Sequence, residues 1–116
     1  MNGSSGKVGE DHVVHWLEKH GYRILARNFH SRFGEIDIIA QRDPYIAFVE
    51  VKTRTQGGLV SPFEAITAAK RRKIIATANL YLQKNPTKLQ PRFDAAAVYL
   101  QGGRIVGEAY LENVFF

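Results

Sequence analysis

The segment Tyr45–Thr53 limits the fold more narrowly than any other part of the sequence. It is rich in Val, Ile and Phe, and it follows the turn signal Asp43-Pro44. A short run of this composition is typical of a strand that is buried over most of its surface. Such a strand needs other strands beside it and helices over it. We therefore expect an α/β fold in which this segment is one strand of a sheet flanked by helices.

Apolar spacing and turn residues predict the remaining elements. Gly21 is placed to end a first helix, and the capping box Ser61-Pro62-Phe63-Glu64 predicts the start of a second helix, which Asn85-Pro86 stops. In chain order we predict a helix over 6–20, strands over 22–28, 35–40 and 45–53, a helix over 62–84, and strands over 92–100 and 105–111. Residues 29–34, 41–44 and 101–104 are predicted turns. The order αβββαββ predicts a mixed sheet with flanking helices.

The composition narrows the class of protein. A chain of 116 residues with 45% apolar residues is the size of one domain, predicted to span 1–116. The absence of cysteine excludes disulfide frameworks, thiolate metal sites and cysteine nucleophiles. Because the sequence shows neither a signal-peptide pattern nor a stretch of membrane-spanning length, we expect a soluble cytoplasmic protein with no membrane partner. The net charge of +5 favours a polyanionic partner such as nucleic acid.

Charged residues inside the apolar strand runs are the strongest sign of a functional site. Because side chains alternate along a strand, Glu35 and Asp37 are expected to share one face. The other face would be apolar, with Ile36, Ile38 and Ala40. By the same alternation, Glu50 and Lys52 share one face of the next strand. Burying such charges is costly unless they are paired with each other or bind a cation.

Two interpretations of these charges remain open on this evidence. In the first, Glu50 and Lys52 form an ordinary ion pair on a half-exposed edge strand. In the second, Asp37 and Glu50 meet across adjacent strands as oxygen ligands for Mg²⁺ or Mn²⁺. Lys52 would then lie beside the metal as a base or as a charge-stabilising group.

One charged residue on each predicted helix also lies on an apolar face. Glu10 shares a helix face with Val13, Val14 and Leu17. Lys70 lies four residues before Ile74 on the apolar stripe of the second helix. Each side chain either extends along the rim of the core or reaches the acidic site, where Lys70 could contact the scissile phosphate.

These residues form part of a wider set of motifs, which are Gly6–Gly9 with Glu10, Gly21-Tyr22, Arg27-Asn28, Gly34–Asp37, Phe48–Arg54, Lys70 and Arg92–Asp94. Together with the predicted order of elements, they resemble the PD-(D/E)xK nuclease superfamily, whose restriction-endonuclease-like core is αβββαβ. Here that core would carry one more C-terminal strand. The resemblance is closest to the YraN family of uncharacterised bacterial proteins, and is similar at longer range to archaeal Holliday junction resolvases. The superfamily's proline before its aspartate is Ile36 in this chain.

The resemblance implies an endonuclease that uses Mg²⁺ or Mn²⁺ to hydrolyse phosphodiester bonds in DNA, leaving a 5′ phosphate and a 3′ hydroxyl. Asp37 and Glu50 would bind the metal with help from the Val51 carbonyl. Lys52 would orient or deprotonate the attacking water, and Glu10 would complete the acidic cluster.

Further charged residues are candidates for supporting roles. Glu35, Lys70 and Arg54 could support the ligands or contact phosphate, although Glu35 is alternatively an exposed strand residue. The basic residues that could hold the phosphate backbone are Arg23, Arg27, Arg32, Arg71 and Lys73. A solvated surface is the alternative for Arg71. Recognition would then depend on the shape of the DNA, and a two-fold-symmetric junction as substrate would suggest a homodimer.

Three other functions are compatible with the same residues. The first is a nucleic-acid-binding module that keeps the fold without turnover and binds DNA equally well in EDTA. The second is an RNase. The third is a structural protein whose charged strand residues protect a sheet edge, for which Asp37→Ala would be neutral or stabilising.

Overall fold

The computed structural model describes residues 3–55 and 66–115. Over these residues the chain forms α1 (Gly3–Lys19), β1 (Arg23–Ser31), β2 (Gly34–Arg42), β3 (Tyr45–Thr55), α2 (Ala68–Lys84), β4 (Gln90–Gln101) and β5 (Arg104–Leu111). The five strands make one mixed sheet, and the predicted α/β fold is confirmed. None of the helices in this described part is long and apolar enough to cross a membrane.

The sheet has the order β1-β2-β3-β4-β5, so β3 is its central strand. β3 is antiparallel to β2 and parallel to β4, with α2 lying in the connection between the parallel pair. Asp37 on β2 and the pair Glu50 and Lys52 on β3 therefore lie on interior strands. The interpretation of these charges as an edge-strand pair or as edge protection is wrong, because an interior strand has no free edge to protect.

The two edge strands are protected in another way. The β1–β2 register skips Leu25, and the β4–β5 register skips Val106, so each edge strand carries a bulge. A bulge twists a strand and interrupts its row of backbone donors and acceptors, which hinders pairing with another chain. Neither edge needs the charges of the central strands for this purpose.

A hydrophobic cluster covers each face of the sheet. The α1 cluster packs α1 on the first face through Val13, Val14, Leu17, Ile38, Ala40, Ala47, Val49, Ala96 and Val98. The α2 cluster packs α2 on the second face through Ile36, Ile39, Ile46, Phe48, Ala78, Phe93, Ala95 and Phe115. Both faces of β3 are thus covered, which explains its nearly continuous apolar sequence.

The predicted alternation along β2 is wrong at Ile36. Ile36 packs in the α2 cluster, whereas Ile38 packs in the α1 cluster. The neighbouring strand shows the reason, because Asn28 has a left-handed backbone with φ 52°. Beyond Asn28 the faces of β1 exchange, and Ile36 follows its partner Phe29 onto the α2 side. The exchange occurs at Asp37, where the described pairing of β2 with β3 ends.

Several predicted boundaries also differ from the structure, among them the β1–β2 turn and the start of the second helix. The turn predicted over 29–34 is shorter, because β1 continues to Ser31 and a two-residue turn, Arg32-Phe33, leads into β2. The second helix begins at Ala68, not at 62, since Thr67 is an extended N-cap whose side chain accepts from the Lys70 backbone N–H. The predicted capping box over 61–64 lies outside the described residues. The end of that helix at Lys84 is confirmed.

Close packing of α1 on the sheet depends on Gly9. A Cβ at this position would lie 2.2 Å from Thr53 Oγ1 and 3.5 Å from Thr53 Cβ. We expect Gly9→Ala to lower the free energy of unfolding by about 1–3 kcal/mol, because one of the two elements must move. Urea denaturation measures the loss.

Gly6→Ala is the matched control, since nothing lies within 4 Å of a Cβ there and alanine favours the helix. Adding Thr53→Ala to Gly9→Ala removes the clashing hydroxyl and should restore much of the stability. Equal unfolding free energies for Gly9→Ala and Gly6→Ala would contradict the close contact.

Candidate active site

A cavity of about 720 Å³ opens between α1 and strands β1, β2 and β3. Its walls bring together seven of the residues singled out in the sequence, namely Glu10, Arg27, Glu35, Asp37, Val51, Lys52 and Arg54. Gly6, Lys7, Asn28 and Thr53 complete the lining. The cavity therefore combines carboxylates with a larger number of basic and amide groups.

Asp37 is the most strongly perturbed acid in this cavity. Burial raises the pKa of its carboxyl from 3.8 to about 7, although the Val51 backbone N–H, which donates to Oδ2 at 2.7 Å, opposes the shift. The negative charges of Glu50, Glu35 and Glu10 raise the pKa further. The ionised form of the Asp37 carboxyl is therefore unfavourable, because burial and the neighbouring negative charges both oppose it. Perturbation of this kind, in a cleft, is typical of functional acids.

Glu50 and Lys52 form an ion pair of 3.1 Å between Oε2 and Nζ, with side chains 20% and 17% exposed. Lys52 lines the main cavity, whereas Glu50 borders a smaller cavity on the α2 side, next to Ile36 and Ile74. The charge of Glu50 still acts on Asp37. Lys52 thus pairs with Glu50 and also lines the main cavity.

Glu10 is held in place by residues of β1. Its Oε1 accepts from Arg27 Nη2 at 2.6 Å, Arg27 Nε at 3.2 Å and Asn28 Nδ2 at 3.2 Å. Neighbouring strand residues normally point to opposite faces, and the left-handed backbone of Asn28 is what allows both to reach one carboxylate. Arg27 also donates to Asp11, and the hydrogen bonds that its guanidinium donates to Asp11 and to Glu10 raise the pKa of that group.

The donor set agrees with a hard divalent cation, but not with a cage made only of side chains. Among the described residues no three or more His, Cys, Asp or Glu side chains are grouped as metal ligands. One oxygen of Glu10 and one of Glu50 are already paired with Arg27 and Lys52. Mg²⁺ usually takes one or two carboxylates and keeps several waters, so Asp37 with a backbone carbonyl, joined by Glu50 from the adjoining smaller cavity, would be enough to hold it.

The remaining predicted residues lie outside the main cavity. Lys70 is exposed in the first turn of α2, and Arg23 and Lys73 are also exposed. Arg71 lies 5.8 Å from the ring centroid of Phe115, and Arg32 lies 4.9 Å from that of Phe33. These basic groups could contact a long substrate, but they do not line the acidic site.

Sequence reasoning did not single out Lys7 or Thr53 as site residues, and Asn28 entered only as part of a motif. Lys7 lies one helical turn before Glu10, a spacing that places both on the same side of α1. Asn28 carried a signal in its residue type, because asparagine is among the non-glycine residues that most readily adopt a left-handed backbone. Thr53 carried none, since its position depends on Gly9 packing against it.

Comparisons with known proteins show what the chain is similar to. Residues 9–98 match the family model described as "Uncharacterised protein family UPF0102". A UPF0102 protein of Persephonella marina is 51% identical over 94 residues, covering 80% of this chain and 81% of that protein. One of Dictyoglomus thermophilum is 40% identical over 116 residues, covering 98% of each. The matched family is the YraN family, which confirms the resemblance to that family.

Proposed function

We propose that this chain, which belongs to the uncharacterised protein family UPF0102, is a metal-dependent endonuclease that hydrolyses phosphodiester bonds in DNA. The observation that carries the proposal is the carboxyl group of Asp37. It lies on an interior strand, its pKa is raised to about 7, and three other acids lie close enough to act on it. A strongly perturbed acid in a cleft is typical of a functional site. A bound cation would offset the unfavourable negative charge of the ionised Asp37 carboxylate.

Asp37, Glu50 and the Val51 carbonyl would hold Mg²⁺ or Mn²⁺. When bound, the cation would neutralise charge on the phosphate and favour ionisation of a water molecule. The Val51 N–H orients the Asp37 carboxylate through its 2.7 Å hydrogen bond. Strand β3 would therefore position Asp37 as well as its own Glu50. Lys52, 3.1 Å from Glu50, would orient or deprotonate the attacking water.

The basic lining of the cavity favours a phosphate backbone as substrate. Lys7 reaches the cavity from α1, and Lys52 and Arg54 reach it from β3. Such contacts position a nucleic acid without reading its sequence. Branched DNA, recognised by its shape, is the substrate we propose, and a homodimer would match the two-fold symmetry of a junction.

Cleavage assays with Lys52→Met test the proposal. Labelled four-way, flap, single-stranded and duplex DNA, together with single-stranded RNA, are incubated with Mg²⁺, Mn²⁺ or EDTA. We expect metal-dependent cleavage of branched DNA by the wild type and a loss of about 100-fold or more in Lys52→Met, because the ammonium acts directly at the attacking water.

Lys84→Met is the control variant, since Lys84 is exposed in the last turn of α2 and is not part of the cavity lining. It should cleave as the wild type does. Absence of cleavage by the wild type with every substrate and metal would refute the proposal, and cleavage confined to RNA would change the substrate class.

A non-catalytic nucleic-acid-binding module is the second candidate. It is favoured by the ion pairs that Glu10 and Glu50 already form with Arg27 and Lys52, which satisfy these acids without a metal. Such a module would bind branched DNA with the same affinity in EDTA and in Mg²⁺ and would leave it uncut.

A further inference from the structure

An exposed aromatic ring lies at the tip of the β1–β2 hairpin. Phe33 keeps 39% of its surface exposed, in the two-residue turn between Ser31 and Gly34. The guanidinium of Arg32 lies 4.9 Å from its ring centroid. Tyr45, another exposed aromatic residue, is at the opposite end of the sheet, where Arg92 lies 4.8 Å from its ring centroid. Phe33 is thus an aromatic surface with a cation beside it.

The tip is anchored to the body of the protein. Ser31 Oγ accepts from the Phe33 backbone N–H at 3.0 Å and is hydrogen-bonded to Thr77 Oγ1 at 2.9 Å. Thr77 is fully buried on α2 and donates to the Lys73 carbonyl at 2.8 Å. A ring on so well-anchored a turn loses little conformational freedom when it binds a ligand.

The tip is also close in the chain to residues of the acidic cavity. Phe33 lies in the turn just before β2, and Glu35 and Asp37, the second and fourth residues of that strand, line the cavity. At about 3.3 Å per residue, an extended chain of this length places Phe33 within roughly 13 Å of Asp37. That distance corresponds to roughly four base steps of 3.4 Å in one nucleic-acid strand.

We infer that Phe33 binds an unpaired nucleobase of the substrate by stacking, with Arg32 supplying a positive charge to the same nucleotide. Stacking on an aromatic ring suits every base, so the site selects no sequence. It does select structure, since bases inside an intact duplex have both faces occupied by their neighbours. This inference rests on the proposed function, and it makes single-stranded or branched nucleic acid the preferred substrate class.

Binding measurements in EDTA test the inference separately from catalysis. Fluorescence anisotropy gives the Kd for single-stranded, flap and duplex DNA of matched length. We expect Phe33→Leu, which keeps an apolar side chain but lacks a ring, to weaken single-strand and flap binding roughly 5- to 100-fold and to leave duplex binding unchanged. Phe33→Trp should bind at least as well as the wild type. Tyr45→Leu is the control for loss of an exposed ring.

The outcomes separate the two proposals. Unchanged single-strand affinity in Phe33→Leu, or an equal loss for single-stranded and duplex DNA, would overturn the stacking site whether or not the wild type cleaves DNA. Selective loss in Phe33→Leu together with wild-type affinity in Phe33→Trp would support it. If that pattern holds while no metal supports cleavage, the nuclease proposal fails and the stacking residue belongs to a binding module.

Discussion

Asp37→Asn is expected to reduce metal-dependent cleavage by more than about 100-fold and, in the same protein, to increase stability in the absence of metal above pH 7. The first effect follows from loss of a charged ligand. The second follows from the pKa of about 7, because the wild-type fold must hold an ionised carboxylate in a partly buried, acidic environment. Asparagine removes that charge and keeps an oxygen to accept the Val51 N–H.

The stability difference depends on pH with a defined sign. The pKa of Asp37 rises from 3.8 to about 7 on folding, so the folded protein binds the proton more tightly than the unfolded chain does. Stability from this group is complete below pH 3.8 and is lost as the pH rises to about 7. Asp37→Asn should therefore match the wild type near pH 3 and exceed it by about 2–4 kcal/mol at pH 8.

Chemical denaturation at several pH values, with and without Mg²⁺, measures both effects. Mg²⁺ should stabilise the wild type by mass action and leave Asp37→Asn unchanged. Asp43→Asn, at the exposed β2–β3 turn, is the matched control for removal of one carboxylate. A variant that is no more stable than the wild type at pH 8 would mean that Asp37 is not held against an unfavourable charge.

A stabilising substitution at Asp37 is compatible with two different functions. A neutral or stabilising effect was the result expected for a structural protein with edge-protecting charges. Because Asp37 lies on an interior strand with a raised pKa, a metal-binding acid predicts the same result in metal-free buffer. Cleavage and the Mg²⁺ dependence of stability separate the two functions.

Asp94→Ala should have the largest effect on folding. Asp94 is 1% exposed and accepts hydrogen bonds from Arg92, from the Tyr110 hydroxyl and from the Asn113 backbone N–H. Arg92 is itself 5% exposed and donates to Tyr22 as well. Burial alone would lower the pKa of the Arg92 guanidinium, but hydrogen bonds with Asp94 and Tyr22 raise it above its usual value.

Loss of the Asp94 carboxylate leaves the buried guanidinium without its counter-ion. We expect the free energy of unfolding to fall by about 3–5 kcal/mol. The midpoint of thermal unfolding should fall by roughly 10–25 °C. Circular dichroism during heating measures the shift.

A double variant distinguishes the loss of a counter-ion from the loss of packing. Arg92→Met with Asp94→Leu replaces both charges by apolar groups and should recover part of the stability lost in Asp94→Ala. Recovery is partial because the Tyr110 hydroxyl and the Asn113 N–H still lack their acceptor. Glu112→Ala removes the second, exposed acid near Arg92, which lies 3.7 Å away, and should change stability by less than about 1 kcal/mol. A similar loss in both single variants would contradict the assignment of Asp94 as the counter-ion of Arg92.

Much of the fold could be predicted because apolar spacing is a local property. The run Tyr45–Thr53 carries the composition of a doubly covered strand, and the structure places it at the centre of the sheet. The boundaries that failed depend on contacts between distant segments. The β1–β2 turn is short because Ser31 is anchored to Thr77, and no pattern near residue 31 indicates that partner.

The candidate site could likewise be predicted only in part. Alternation placed Glu35 with Asp37, and Glu50 with Lys52, but it failed at Ile36. The failure has its origin in the adjacent strand, where Asn28 exchanges the faces of β1. A strand's faces are thus set partly by its neighbour, so one strand read alone cannot predict them.

The sequence by itself determined the order of the helices and strands, the presence of charges within buried strands, and the family to which the chain belongs. These properties depend on residue types and their spacing along the chain. Only the tertiary structure decided that Asp37 shares a cavity with Glu10, that Arg27 and Asn28 hold Glu10, and that the central strand carries Glu50. The raised pKa of Asp37 arises from burial and from charges on other elements, and packing alone brings those groups together.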